Sequence, residues 1–140
     1  MVHLTCTQND LTSLNCSSVR WLDRDADFEL AREFWLALQQ ELTYPEWVEA
    51  HVLGYTYAAI VEEGKVISCA AVWRYSEQAW EVAAVVTRDG YRRRGYAKQV
   101  VAFVTAYILR NGRLATCTTH DDNTAMIATA KSVGFKAQPE

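Results

Sequence analysis

Val85-Val86-Thr87-Arg88-Asp89-Gly90-Tyr91-Arg92-Arg93-Arg94-Gly95-Tyr96-Ala97-Lys98 is the stretch on which the reading of this chain turns. It opens as an apolar, β-branched run. It closes at the start of a stripe, Ala97, Val100, Val101, Val104 and Ile108, that repeats at helical spacing over 96–110. The stretch is therefore a strand-to-helix connection, and it carries two glycines and five basic side chains, Arg88, Arg92, Arg93, Arg94 and Lys98. A helix N-terminus leaves about four backbone N–H groups without intrahelical partners and carries the positive end of the helix dipole. Small residues at Gly95 and Ala97 let phosphate oxygens approach those amides, and the arginines add charge. The pattern predicts an anion site, with a phosphate ester as ligand. The competing reading is a solvated basic loop with a glycine turn, since short glycine motifs recur by chance. The spacing is neither a Walker loop nor GxGxxG.

Upstream lie three strands in succession. Residues 55–62, 65–75 and 80–87 are rich in Val, Ile and aromatics, and Glu63-Gly64 and Ser76-Glu77-Gln78 turn the chain between them. Before them come a short strand at 18–22 and an amphipathic helix over 26–42, carried by Phe28, Ala31, Trp35, Leu38 and Leu42. A second short helix starts at the capping box Thr43-Tyr44-Pro45-Glu46, runs to about Val52 and stops at Gly54. Downstream, Asn111-Gly112 closes the long helix and 114–119 forms a strand parallel to 80–87. Asp121-Asp122-Asn123 caps a helix with Met126, Ala130 and Val133 on one face, Gly134 ends it, and Phe135 leads into a last strand. The order β-α-α-β-β-β-α-β-α-β predicts an α+β (mixed α/β) fold.

At 140 residues the chain is one domain, and roughly two thirds of its unfolded surface is buried on folding. A net charge of −3 argues against nucleic-acid partners, and no apolar run approaches the ~20 residues of a membrane span. Cys6, Cys16, Cys69 and Cys117 form no CxxC pair, and His3, His51 and His120 lie far apart, so no metal site is expected. Reduced thiols suit a cytoplasmic protein. Residues 1–17 are polar and lack periodicity, and are expected as a leader or edge segment before a domain over 18–140.

Arg92-x-x-Gly95-x-Ala97, between a strand and a helix, resembles the phosphate-loop pattern of the GNAT superfamily of acetyl-CoA-dependent N-acetyltransferases. Asn123 at the head of the next helix, with Gly134-Phe135 at its end, resembles that superfamily's second pattern. The resemblance covers about residues 18–137. It implies a mostly antiparallel sheet with one splayed parallel strand pair, flanked by helices. It also implies that acetyl-CoA binds to Val85, Val86, Thr87, Arg92, Arg93, Arg94, Gly95, Tyr96, Ala97, Lys98 and Asn123. In that picture the amides of about 93–97 hold the pyrophosphate, 85–87 pair with the pantetheine arm, and Asn123 contacts the pantetheine or its sulfur side. A backbone N–H of Val85 or Val86 polarises the thioester carbonyl, which places Val86 among the catalytic residues.

Acyl transfer to an amine also needs a base. Glu81 stands eleven residues before Arg92, an offset at which several members of the family place a catalytic glutamate. Alternation sets Glu81, Ala83 and Val85 on one face. A solvent-facing strand glutamate is the competing reading, and His120 is the second candidate base. Many relatives carry a tyrosine as general acid where this chain has Ala130, so water, Cys117 or unassisted thiolate departure takes its place. The chain stops soon after Phe135, where the family adds a strand; a homodimer, or residues 1–16, is expected to cover that edge. Trp35, Tyr44, Trp47, His51, Tyr55, Tyr57, Trp73 and Tyr75, with Glu41, Glu46 and Glu49, are candidates for holding a cationic amine, against a core or solvated-face role for each. An N-acetyltransferase acting on a small molecule or protein amine is the main expectation. A non-catalytic acyl-CoA-binding or regulatory module is the alternative, and a basic-patch adaptor the third reading.

Overall fold

A computed structural model describes residues 1–139. The elements run β1 (Val2–Cys6), β2 (Val19–Trp21), α1 (Phe28–Ala37), α2 (Tyr44–Val52), β3 (Tyr55–Glu62), β4 (Lys65–Trp73), β5 (Ala79–Thr87), α3 (Tyr96–Arg110), β6 (Leu114–Thr119), α4 (Thr124–Val133) and β7 (Lys136–Ala137). All seven strands form one sheet in the order β2-β3-β4-β5-β6-β1-β7. Its neighbours are antiparallel except β5 and β6, which are parallel because α3 crosses over between them. The fold is α+β. No helix among the described residues is long and apolar enough to cross a membrane.

Two apolar layers hold the sheet. α3 and α4 bury Val100, Val101, Val104, Ile108 and Val133 against it on one side, and α1 and α2 bury Ala31, Phe34 and Trp47 on the other. Trp47 is anchored inside by its indole N–H, which donates to the Arg24 carbonyl at 2.7 Å. The capping box of α2 closes both ways: the Thr43 N–H donates to Glu46 Oε1 at 3.0 Å, and the Glu46 N–H donates to Thr43 Oγ1 at 3.3 Å.

Three expectations need correcting. The first is the helix over 26–42. α1 spans Phe28–Ala37, and Gln39 turns out of it at φ +67°. Leu38 and Leu42 still pack on the α1–α2 core, so the apolar spacing outlasts the helix. The second is corrected in part: residues 1–17 were expected as a leader or edge segment, with residues 1–16 as one of two possible covers for the sheet edge, and Val2–Cys6 do add a strand, though within the sheet. β1 lies inside the sheet, paired with β6 from Val2↔Thr119 to Cys6↔Ala115 and with β7 at Leu4↔Ala137. Leu4 and Cys6 are buried there, and their alternation over so few residues was too short to stand out. Glu140, the last residue of the expected domain, lies outside the described residues.

The third is the face shared by Glu81, Ala83 and Val85. Cys69 of β4 pairs with Val86, whereas Ala71 pairs with Ala83, so β5 carries an extra residue between them. Ala84 absorbs it at φ +51°. This bulge shifts the alternation by one position. Glu81, Ala83 and Val86 share the α1–α2 side, and Val85 packs against the α3–α4 core.

Candidate functional site

The parallel pairing of β5 and β6 lasts three rungs, Ala79↔Leu114, Trp80↔Ala115 and Glu81↔Thr116. Beyond Glu81 the strands part. The bulge at Ala84 turns β5 away, and the gap opens into a cleft of about 1020 Å³, at the upper end of the usual size for small-molecule sites. Residues 82–87 of β5 and 117–119 of β6 form two walls, and the N-cap Asn123 with Met126 and Thr129 of α4 forms a third.

The N-terminus of α3 closes the end of the cleft. Gly95 is its N-cap at φ +83°, a left-handed conformation suited to glycine, and Arg93 before it also has positive φ at +64°. No side chain caps this helix, and no acidic residue stands in its first turn. The first intrahelical donor is the Gln99 N–H, which meets the Gly95 carbonyl at 3.2 Å. The preceding amides are left for a ligand or water. Unpaired N–H groups and the dipole's positive end at the mouth of a cleft make a fitting seat for an anion.

The basic side chains divide. Arg92, Arg93 and Lys98 line the cleft, although Arg92 also pairs with Asp89 at 2.9 Å. Arg94 lies over the Tyr91 ring, 5.5 Å from its centroid, and does not line the cleft. Arg88 is committed elsewhere: its Nε donates to the Val66 carbonyl at 2.9 Å, and both terminal nitrogens bond Glu33 of α1. Its place in the basic loop was deceptive, because a residue 55 positions upstream takes its charge.

Of the other expected residues, Val85, Val86, Thr87, Gly95, Tyr96, Ala97 and Asn123 line the cleft. Asn123 caps α4 by accepting from the Met126 N–H at 3.3 Å, and its Nδ2 donates to Thr119 Oγ1 at 3.0 Å. That second bond fastens the head of α4 to the end of β6. Thr118, Thr119, Met126 and Thr129 line the cleft without having been singled out in the sequence. Threonines ending a strand and a methionine on a helix read as ordinary packing until the strands are seen to part.

Glu81 sits at the fork, on the last paired rung. The hydroxyls of Thr116 and Thr118 each stand 3.2 Å from its Oε1, and Oε2 has no hydrogen-bond partner among the described residues. Thr118 Oγ1 is also 3.2 Å from Nδ1 of His3 on β1, which is exposed. A chain of hydrogen-bonding groups thus runs Glu81–Thr118–His3. His120 is exposed at the end of β6, and its side chain makes no hydrogen bond among the described residues. Cys117 borders the cleft, but burial, reinforced by the Glu81 charge, pushes its thiol up to about 12. A group that weakly acidic is a poor donor to a thiolate whose own acid has a pKa of about 8.5. Ala130 is fully buried in the core and does not reach the cleft.

Among the aromatics, Trp47 and Trp35 belong to the α1–α2 packing, and Tyr44 donates to Asp25 at 2.6 Å. Glu46 is used in the capping box. Tyr55, Tyr57, Trp73 and Tyr75 remain as a connected surface beside Glu81.

Comparison with known proteins agrees with this geometry. The profile of the Acetyltransferase (GNAT) family matches residues 15–135. The solved structure of a GNAT-family acetyltransferase from Novosphingobium aromaticivorans is similar at a TM-score of 0.79 and 20% identity, covering 98% of this chain but 59% of that one. AAC(6')-Iy, in complex with the bisubstrate analogue CoA-S-monomethyl-acetylneamine, is similar at 0.71 and 16% identity, covering 87% of this chain and 92% of that one. An acetyltransferase from Agrobacterium tumefaciens is similar at 0.70 and 22% identity, covering 88% and 95%. No curated protein matches the sequence.

Proposed function

The chain belongs to the acetyltransferase (GNAT) family, and on that premise we propose that it is an N-acetyltransferase, moving an acetyl group from acetyl-CoA to a primary amine by direct attack with both substrates bound. The observation that carries this reading is the uncapped N-terminus of α3 opening onto a cleft whose wall is the bulged, splayed strand β5. The fit is chemical. Pyrophosphate oxygens suit the amides of 93–97 with Arg92, Arg93 and Lys98 around them. A pantetheine arm suits the β6-facing edge of residues 85–87, which pairs with no strand. Bound acetyl-CoA supplies the activated acetyl group as a thioester.

In this reading the chain does three things. A backbone N–H of Val85 or Val86 donates to the carbonyl oxygen on which charge develops. Oε2 of Glu81 takes a proton from the acceptor ammonium, of which only about one in 10³ is neutral at pH 7 for a lysine-like amine. The Thr116 and Thr118 hydroxyls, each 3.2 Å from Oε1, hold the carboxylate in place while Oε2 takes up that proton and releases it to solvent. No side chain is assigned as acid for the thiolate, since Ala130 is buried and the Cys117 thiol, pushed up to about 12, is too weak an acid to protonate it. The free cysteines support a cytoplasmic setting. A homodimer or residues 1–16 were expected to cover the sheet edge left open after Phe135; β1 supplies a strand between β6 and β7, so the proposal does not include a dimer.

Thermal unfolding tests the reading. Acetyl-CoA at a hundredfold its Kd adds about 2.7 kcal/mol, which for this chain length is a rise of about 9 °C. Gly95→Glu removes that rise by setting a carboxylate among the anion-binding amides. Glu81→Gln keeps the rise and lowers kcat by about 10²-fold or more. No rise in wild type at millimolar acetyl-CoA would refute the cofactor assignment. A rise without turnover of any amine would favour the second reading, a non-catalytic acyl-CoA-binding module, which the missing acid at Ala130 supports.

A further inference from the structure

The face of the sheet that carries Glu81 has a readable chemistry. Cross-strand register places Tyr55, Trp73, Glu81, Thr116 and Thr5 in one row across β3, β4, β5, β6 and β1. The rows beside it hold Tyr57, Ala71 and Ala83, and His3 with Thr118. Among these residues Glu81 is the one carboxylate. Around it the surface is aromatic. The Trp73 and Tyr55 rings stack with parallel planes at 5.4 Å, and Tyr75 meets Trp73 at 5.2 Å. Tyr75 also reaches over the row, its hydroxyl 3.2 Å from Thr116 Oγ1, which itself touches Glu81.

The rings are held for contact rather than buried as core. The Trp73 indole N–H donates to the Leu53 carbonyl at 3.2 Å, which fixes the ring by its edge. Tyr75 is 44% exposed, and beside this anchor Val52 and Leu53 are exposed at 77% and 59%. Exposed apolar side chains gathered next to a lone carboxylate mark a binding surface. Its charge complement is a single cation, and its shape complement is a flat ring. A polyamine or an amino sugar with several ammonium groups would find one carboxylate in these rows.

We propose that the acceptor is an arylalkylamine, its ring against Trp73 and Tyr75 and its ammonium at Glu81 Oε2. This rests on the N-acetyltransferase reading and deepens it. The dimensions agree: Trp73 and Glu81 are direct cross-strand partners, whose Cβ atoms stand about 5 Å apart, so a two-carbon tether spans from ring to charge.

Three probes test it on the full chain with acetyl-CoA: 2-phenylethylamine, n-butylamine and spermidine. The expected result is a kcat/KM for phenylethylamine about tenfold or more above that for n-butylamine, with spermidine no better than n-butylamine. Trp73→Ala should raise the KM for phenylethylamine about tenfold and erase most of its preference over n-butylamine, while the acetyl-CoA thermal rise persists. Phenylethylamine binding should also perturb indole fluorescence in wild type, and Trp73→Phe should abolish that signal while keeping the ring preference. Equal turnover of the two monoamines, or a preference for spermidine, would overturn the acceptor assignment and leave the N-acetyltransferase reading standing. Absence of both the acetyl-CoA thermal rise and turnover of all three amines would refute that reading and this assignment with it.

Discussion

Leu4→Ala measures how far β1 supports the rest of the sheet. Leu4 is 1% exposed and packs in the core that joins the sheet to α3 and α4. Truncating a buried leucine to alanine costs 2–5 kcal/mol, the spread reflecting how far the site can collapse. Collapse is restricted here, because β1 is hydrogen-bonded to strands on both sides, β6 along Val2–Cys6 and β7 at Leu4 and Thr5. A loss of about 3 kcal/mol follows. An unfolding entropy of about 2.1 cal/mol/K per residue converts it to a fall in Tm of about 10 °C for 140 residues. Urea titration should show a lower midpoint with an unchanged m-value. Hydrogen exchange should quicken along 115–119, whose edge β1 covers. His3→Ala, an exposed change on the opposite face of the same strand, should stay within about 0.5 kcal/mol of wild type. A Leu4→Ala melt within 2 °C of wild type would refute the docking of β1 and reopen the case for a partner at β6.

Three further outcomes follow from particular contacts. A Cβ on Gly134 (φ +129°) would stand 2.2 Å from the Asp10 carbonyl oxygen, so Gly134→Ala should cost about 3 kcal/mol in a denaturant melt; a cost below about 1 kcal/mol would show that the segment around Asp10 is not seated on α4. The Arg88 guanidinium holds the Glu33 carboxyl below its ordinary 4.5. A carboxyl depressed in the folded state contributes stability above its unfolded pKa and loses it as pH falls through the lower folded value, so Glu33→Gln should flatten the stability profile below about pH 4.5. The difference is at most about 1 kcal/mol because Glu33 is 43% exposed, and superimposable acid limbs would refute the pairing. Maleimide at pH 8 should label half-exposed Cys16 first and Cys69 and Cys117 last, both being buried with thiols pushed up to about 12; peptide mapping that finds Cys117 modified early would contradict its burial.

Most of the fold could be read along the chain where one local signal spoke alone. The strands Tyr55–Glu62 and Leu114–Thr119 and the helix Tyr96–Arg110 have the bounds that apolar pattern and glycine punctuation predict. The Thr43–Glu46 box is likewise a contact between neighbours, and so visible in the sequence. Reading failed where the deciding contact is remote. β1 is five residues long and becomes a strand only because β6 and β7 offer it edges more than a hundred residues away. Gln39 ends α1 although the apolar spacing runs on, because side chains on the connection to α2 reach the same core.

The site divides along the same line. The loop proposed to hold an anion was legible because a glycine N-cap, small neighbours and arginines act locally on the first turn of α3. Glu81 was legible as a position but not as an environment. Its two threonines come from another strand, and the bulge at Ala84 decides which side chains share its face. The commitment of Arg88 to Glu33, the seating of Asn123 on Thr119 and the row of rings beside Glu81 all depend on which strands lie side by side. By itself the sequence determined the elements from β2 onward, their order and the glycine–arginine loop before α3, since backbone propensity, capping and periodicity are short-range. Tertiary structure alone decided where β1 inserts, where β5 and β6 part, and what lines the opening, because sheet register and side-chain contact join residues that the chain keeps far apart.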